Sequence, residues 1–93
     1  MKIHVSHILV EQKYEGEDLQ RKIAEGVSFE DLAKKFSKCP SGKSGGDLGV
    51  VDSARFVPEF AEVAEGLKGG EISGLVKTRF GYHLIKKLDL KTF

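Results

Sequence analysis

Residues 2–10, KIHVSHILV, are crowded with β-branched and large apolar side chains in an alternation that predicts a strand. A period of two puts Ile3, Val5, His7 and Leu9 on one face and His4, Ser6, Ile8 and Val10 on the other, so His4 and His7 point apart. From Glu15 the period lengthens. Leu19, Ile23 and Val27 recur every four residues, acids fill the first turn and Gly26 stands near the end, which predicts a short helix. Ser28 is a good N-cap for a second helix whose Phe29, Leu32, Ala33 and Phe36 fall at i, i+3, i+4 and i+7. The stretch 39–46, CPSGKSGG, holds one proline and three glycines and reads as a loop. Asp47 to Val51 then suits a short strand, in which Gly49 suggests a bulge or the close approach of another segment. Pro58 fits the first turn of a third helix with Phe60, Val63, Ala64 and Leu67 as its buried stripe, stopped by Gly69-Gly70. Ile72 to Val76 reads as a short strand around Gly74. Residues 79–90 give a stronger one, with Phe80, Tyr82 and Leu84 alternating against Gly81, His83 and Ile85.

This order, a strand, three helices with a short strand among them and two closing strands, predicts an α+β fold with helices packed around one small sheet. Ninety-three residues support one modest core, so residues 1–93 are expected to form a single domain, with a monomer as the default state. With 40% apolar and 31% charged residues the composition is that of a soluble globular chain. A formal charge of +1 supplies no broad field toward nucleic acid or anionic lipid, so neither is expected as a partner. The amino terminus enters the strand pattern directly, without the features of an export leader. The single cysteine, Cys39, cannot form an internal disulfide, and a cytoplasmic location is expected.

Candidate chemistry is sparse. Gly42-Lys43-Ser44 resembles the tail of a phosphate-cradling loop, but Ser37 stands where that motif needs its first glycine and a helix precedes it, so a solvated loop is the better reading. Three histidines and a cysteine invite a metal, yet His4 and His7 face opposite ways and no C-x-x-C pair exists; no metal or cofactor is expected. His7 and His83 sit among apolar neighbours on strands, where a buried histidine is ordinarily satisfied by a hydrogen bond. Cys39 follows a helix instead of starting one, which argues against a cysteine protease. Phe56 and Phe60 flank Pro58 and with Leu48 could line an apolar pocket, although aromatics at this spacing are more often core. The residues taken singly name no reaction.

Taken together, five motifs in order resemble the parvulin family: Ser6-His7-Ile8-Leu9-Val10, Phe36-Ser37 before Cys39, Gly46-Asp47-Leu48-Gly49, Phe56-Val57-Pro58-Glu59-Phe60, and Phe80-Gly81-Tyr82-His83-Leu84-Ile85. The resemblance spans nearly the whole chain. It implies a four-stranded antiparallel sheet surrounded by helices, in β-α-α-β-α-β-β order, with the first and last strands side by side so that His7 and His83 meet. It further implies peptidyl-prolyl cis/trans isomerase activity. His7 and His83 match the paired active-site histidines, Cys39 a position held by Cys or Asp, and Thr78 a hydroxyl that supports the histidines. Leu48, Phe56 and Phe60 match the prolyl pocket, with Phe56 where many members carry methionine, and Phe80 adds an apolar wall.

The implied reaction breaks no bond: the enzyme need only favour a twisted amide over the planar one. Because the family tolerates Asp at the position of Cys39, a non-covalent mechanism is expected. Cys39 would then tune a histidine pair whose charge responds near neutral pH. The expected partners are proline-containing polypeptide segments. Phosphate-directed members carry a basic cluster just after the first strand, whereas residues 11–17 here are EQKYEGE, with three acids and one lysine. No phosphate requirement is therefore expected, and neutral or apolar residues should be accepted before proline. The alternative is a module of the same fold that binds peptide without catalysing isomerisation.

Overall fold

The computed structural model describes residues 1–88. Among them the elements run β1 (Lys2–Val10), α1 (Lys13–Ala24), α2 (Phe29–Phe36), β2 (Asp47–Asp52), α3 (Pro58–Gly66), β3 (Val76–Thr78) and β4 (Gly81–Leu88), with short 3₁₀ turns at Pro40–Ser44 and Ser53–Arg55. The strands form one antiparallel sheet in the order β2-β1-β4-β3. The α+β fold and the central pairing of first and last strands are as expected.

β1 lacks a polar face because both of its faces are covered. Ile8, Val10 and Leu84 pack under Leu19 of α1 and Phe29, Leu32 and Ala33 of α2. Ile3, Val5, Val76 and Ile85 pack on the other side against Phe60 and Ala64 of α3. A strand buried on both faces must satisfy any polar side chain it carries. His4 does so by donating from Nε2 to Asp47 Oδ1 at 2.8 Å.

Three expectations shift. The first helix starts earlier, at Lys13, with Gln12 and Glu15 forming a reciprocal capping box, and it ends at Ala24. Gly26, at φ +103°, turns the chain away, so Val27 lies past the helix and is exposed. Ile72 to Val76 is not a strand: Ile72 makes an isolated bridge to Lys86, and the paired strand is Val76–Thr78. Arg79 and Phe80 form the turn into β4, and the last two positions of the expected strand, 89–90, lie outside the described residues. Ser28 caps α2 as expected, its Oγ accepting from the Asp31 amide at 3.0 Å.

Gly49 marks the expected bulge. His4 pairs with Val50 and Ser6 with Asp47, so Leu48 and Gly49 together face the single residue Val5. Gly49 has φ +77°, and its amide donates to Asp47 Oδ1 at 2.7 Å. The carboxylate thus holds both the bulge and His4, and the half-buried Leu48 packs with the cluster under α3.

Candidate active site

On the α3 side of the sheet the apolar run of β1 passes from Ile3 and Val5 to His7, and that of β4 from Ile85 to His83. His7 pairs with Ile85 and Leu9 with His83, which makes the two histidines diagonal neighbours across the central strands. Their Nδ1 atoms are 3.0 Å apart and the rings lie 19° from parallel. Phe60 stands edge-on to both, its centroid 5.6 Å from His7 and 5.3 Å from His83. Phe56 packs on Phe60 at 4.5 Å.

An Nδ1 to Nδ1 hydrogen bond needs a proton on one nitrogen and a lone pair on the other. Thr78 offers one arrangement that satisfies both bonds. Its Oγ1 lies 2.8 Å from His83 Nε2 and accepts the Phe80 amide at 3.2 Å. When the Thr78 hydroxyl donates to His83 Nε2, His83 carries its proton on Nδ1 and donates to His7, and each of these atoms is used once. His7 is then left with an Nε2–H that is sealed from solvent and has no hydrogen-bond partner among the described residues. Burial, with His83 adding to it, lowers the His7 pKa from 6.5 to about 4, and burial also lowers that of His83. The pair is therefore neutral at pH 7. The expectation of a charge that responds near neutrality is corrected: sites this dry hold the imidazoles in the uncharged form.

Above the pair lies a cavity of about 330 Å³ lined by His7, His83, Cys39, Leu48, Phe56, Phe60 and Phe80, together with Leu9, Val57, Arg55 and Arg79. Each residue expected at the site borders it except Thr78, which is buried behind His83. Phe60 is the buried floor, Leu48 and Phe56 are half-buried walls, and Phe80 is an exposed flap. Cys39 borders the same space, but its Sγ takes a hydrogen bond from Ser41 Oγ at 3.3 Å and contacts neither imidazole by a hydrogen bond. A direct tuning of the histidine pair by the thiol is thus not what the geometry offers. Among the described residues no group of three or more His, Cys, Asp or Glu side chains could hold a metal ion, and no helix is long and apolar enough to cross a membrane.

Positioning residues outside the expected set explain the motifs. Ser37 Oγ accepts the amides of Leu9 at 3.1 Å and Cys39 at 3.3 Å, and the Lys38 amide donates to the Leu9 carbonyl at 2.8 Å, so the Cys39 loop is pinned to β1. Gly46, at φ +87°, accepts the His7 amide at 2.9 Å and packs so closely that a Cβ would strike the His7 carbonyl. Gly81 meets the Val10 carbonyl in the same way. Arg55 and Arg79 carried no periodic signal and were not anticipated.

The segment after β1 lies elsewhere. Glu15, Glu17 and Asp18 border a separate recess of about 420 Å³ with Val10, Leu19 and Phe36, on the α1 and α2 side of the sheet. None of these three acids lines the histidine cavity.

The chain matches the PPIC-type PPIase domain of the rotamase family over residues 7–89. It is 45% identical over 89 residues to the foldase protein PrsA of Bacillus subtilis, covering 95% of this chain and 30% of that protein. The crystal structure of PrsA from Bacillus subtilis superposes with a TM-score of 0.92 at 45% identity, over 95% of this chain and 35% of that one. The solution structure of NmPin, the parvuline of Nitrosopumilus maritimus, matches with a TM-score of 0.84 at 38% identity, over 95% of this chain and 96% of that one. The chain thus spans about a third of the length of the foldases it matches and nearly all of the small parvuline.

Proposed function

Because the chain belongs to the PPIC-type peptidyl-prolyl isomerase family, the parvulins, we propose that it rotates X-Pro bonds in unfolded or flexible polypeptide segments without forming a covalent intermediate. The observation that carries this reading is the neutral His7–His83 pair set against Phe60, at the base of an apolar cavity that Leu48 and Phe56 complete.

The planar amide is polar because nitrogen shares its lone pair with the carbonyl, and that sharing creates a rotational barrier of about 18–20 kcal/mol. Twisting ends the conjugation and reduces the dipole. Surroundings that withhold water therefore stabilise the twisted state relative to the planar one. Leu48, Phe56 and Phe60 would hold the prolyl ring and shed its water, while imidazoles kept neutral by burial add no ion that would draw water back. A thousandfold acceleration requires only about 4 kcal/mol of such preference. Cys39 would act as a wall of the cavity, its sulfur occupied by Ser41.

Substrate choice is read as independent of phosphate, since the link after β1 consists of Glu11 and Gln12 and the following turn offers Lys13 alone as a cation. The free thiol of Cys39 supports a reducing, cytoplasmic setting, which cell fractionation would check. The activity is tested by exchange NMR on proline tetrapeptides with alanine before proline. Wild type should accelerate interconversion, and Leu48→Ala should lower kcat/KM by about tenfold, the equivalent of one buried aliphatic side chain. A folded protein that accelerates no peptide would leave only a peptide-binding module.

A further inference from the structure

Among the described residues the walls of the histidine cavity carry two fixed charges, Arg55 and Arg79, both positive, and no carboxylate borders it. They come from separate elements. Arg55 ends the 3₁₀ turn that follows edge strand β2, and Arg79 sits in the turn between the other edge strand, β3, and β4. Both side chains are exposed. Neither forms an ion pair among the described residues, although Arg21, Lys22 and Lys86 all do. Asp52, three residues before Arg55, is engaged by the terminal ammonium and the Ala54 amide. Arg79 is held over the Phe80 ring, 4.9 Å from its centroid, which fixes a guanidinium beside the flap of the cavity without neutralising it.

A peptide whose proline fills the pocket between Leu48, Phe56 and Phe60 must run its neighbouring residues past these two cations. We infer that Arg55 and Arg79 are specificity-determining residues that favour an anionic side chain, a carboxylate, next to the scanned proline. The inference rests on the isomerase reading and refines it: the expectation of neutral residues before proline followed from acids at 11–17, of which Glu15 and Glu17 border the separate recess on the α1 and α2 side of the sheet, and none of the three lines the histidine cavity. A fork of guanidinium donors pairs with carboxylate oxygens and is weakly hydrated, so it suits the rim of an apolar site better than lysine would. Exposure limits the gain to the range of a surface ion pair, and added salt should erode it.

The test compares tetrapeptides that differ only in Glu or Gln immediately before or after proline, with a phosphoserine peptide as a third arm, in wild type, the Arg55→Gln/Arg79→Gln double variant and the Arg55→Lys/Arg79→Lys variant. The readout is the ratio of kcat/KM values on Glu and Gln peptides for each protein, which is insensitive to how much of the sample is active. Wild type should favour Glu by about threefold to tenfold at one of the two positions, the Gln variant should fall to a ratio near one, and the Lys variant should keep part of the preference. Raising salt to about 0.5 M should shrink the wild-type ratio. Equal rates on Glu and Gln peptides, or a preference that survives in the Gln variant, would overturn the assignment, as would a phosphoserine peptide turned over more than about tenfold faster than the Glu peptide, which would make the pair a phosphate site. Turnover of the Gln peptide by wild type keeps these outcomes separate from a failure of the isomerase reading, in which no peptide is accelerated.

Discussion

Acidification from pH 7 to pH 4 should destabilise this protein through its histidines before Asp18 and Asp52 lose their stabilising charge. His7 has a folded-state pKa of about 4 against 6.5 for an exposed imidazole. Between those values the unfolded chain binds a proton that the folded chain refuses. Stability is therefore complete above pH 6.5, declines as pH falls toward 4, and levels off below that for this group. The gap is roughly 2.5 units at about 1.4 kcal/mol each, so His7 alone removes about 3 kcal/mol. His83 is shifted the same way by burial and adds to the loss. Against a stability of about 5–15 kcal/mol for a small domain, this is a large share. The exposed carboxylates of Asp18 and Asp52 are also lowered, by hydrogen bonds to Arg21 and Lys22 and to Ala54 and the terminal ammonium, so their stabilisation is lost only at lower pH, below the ordinary carboxylate value of 3.8. Urea unfolding followed by circular dichroism between pH 7.5 and 4.5 should show a falling midpoint in wild type and a flatter profile in His7→Gln. The direct check is the NMR titration of the His7 ring, which should stay neutral to below pH 5. A His7 midpoint between pH 6 and 7, or parallel losses in wild type and variant, would refute the claim that burial holds the pair uncharged.

Substitutions at Gly46 and Thr78, with Gly70 for comparison, probe the scaffold around that pair. Gly46→Ala and Gly70→Ala both place a Cβ at positive φ, +87° and +89°, but only at position 46 would it strike backbone, at the His7 carbonyl. Gly70→Ala should cost about 1 kcal/mol and Gly46→Ala at least about 2 kcal/mol more, measured as urea midpoints; equal losses would show that β1 yields at His7. Thr78→Val keeps the side-chain shape but strips a partner from His83 Nε2 and from the Phe80 amide. It should lower stability by about 2 kcal/mol and speed hydrogen exchange at the Phe80 amide, with Thr78→Ser restoring both.

How far such a site can be read from sequence depends on whether a residue sits in a repeating environment. His7 and His83 do: each continues the buried register of its strand, after Ile3 and Val5 or before Ile85, and a polar residue in a dry register is conspicuous. The partner is not legible in this way. β1 and β4 pair across most of the chain, and periodicity says which face is buried but not which strand lies alongside. That step came from the order of the five motifs, and the glycines in those motifs turn out to report it physically. Gly46 and Gly81 are small because the backbone of β1, at His7 and Val10, occupies the space a side chain would need.

Elements governed by local chemistry rather than by register were read less well. Val27 matched the four-residue spacing, yet Gly26 had already ended the helix in the left-handed region, since a single backbone angle outweighs one more apolar match. Arg55 and Arg79 matched nothing, because two isolated arginines in turns have no spacing to betray them. They acquire meaning only when the sheet order sets the ends of its two edge strands around one cavity. The central strands therefore fix the chemistry at positions that cannot drift without breaking the core. The turns after the edge strands carry Arg55 and Arg79 and can exchange them at little structural cost, so the proposed preference for an anionic neighbour of proline would lie where this fold is freest to vary.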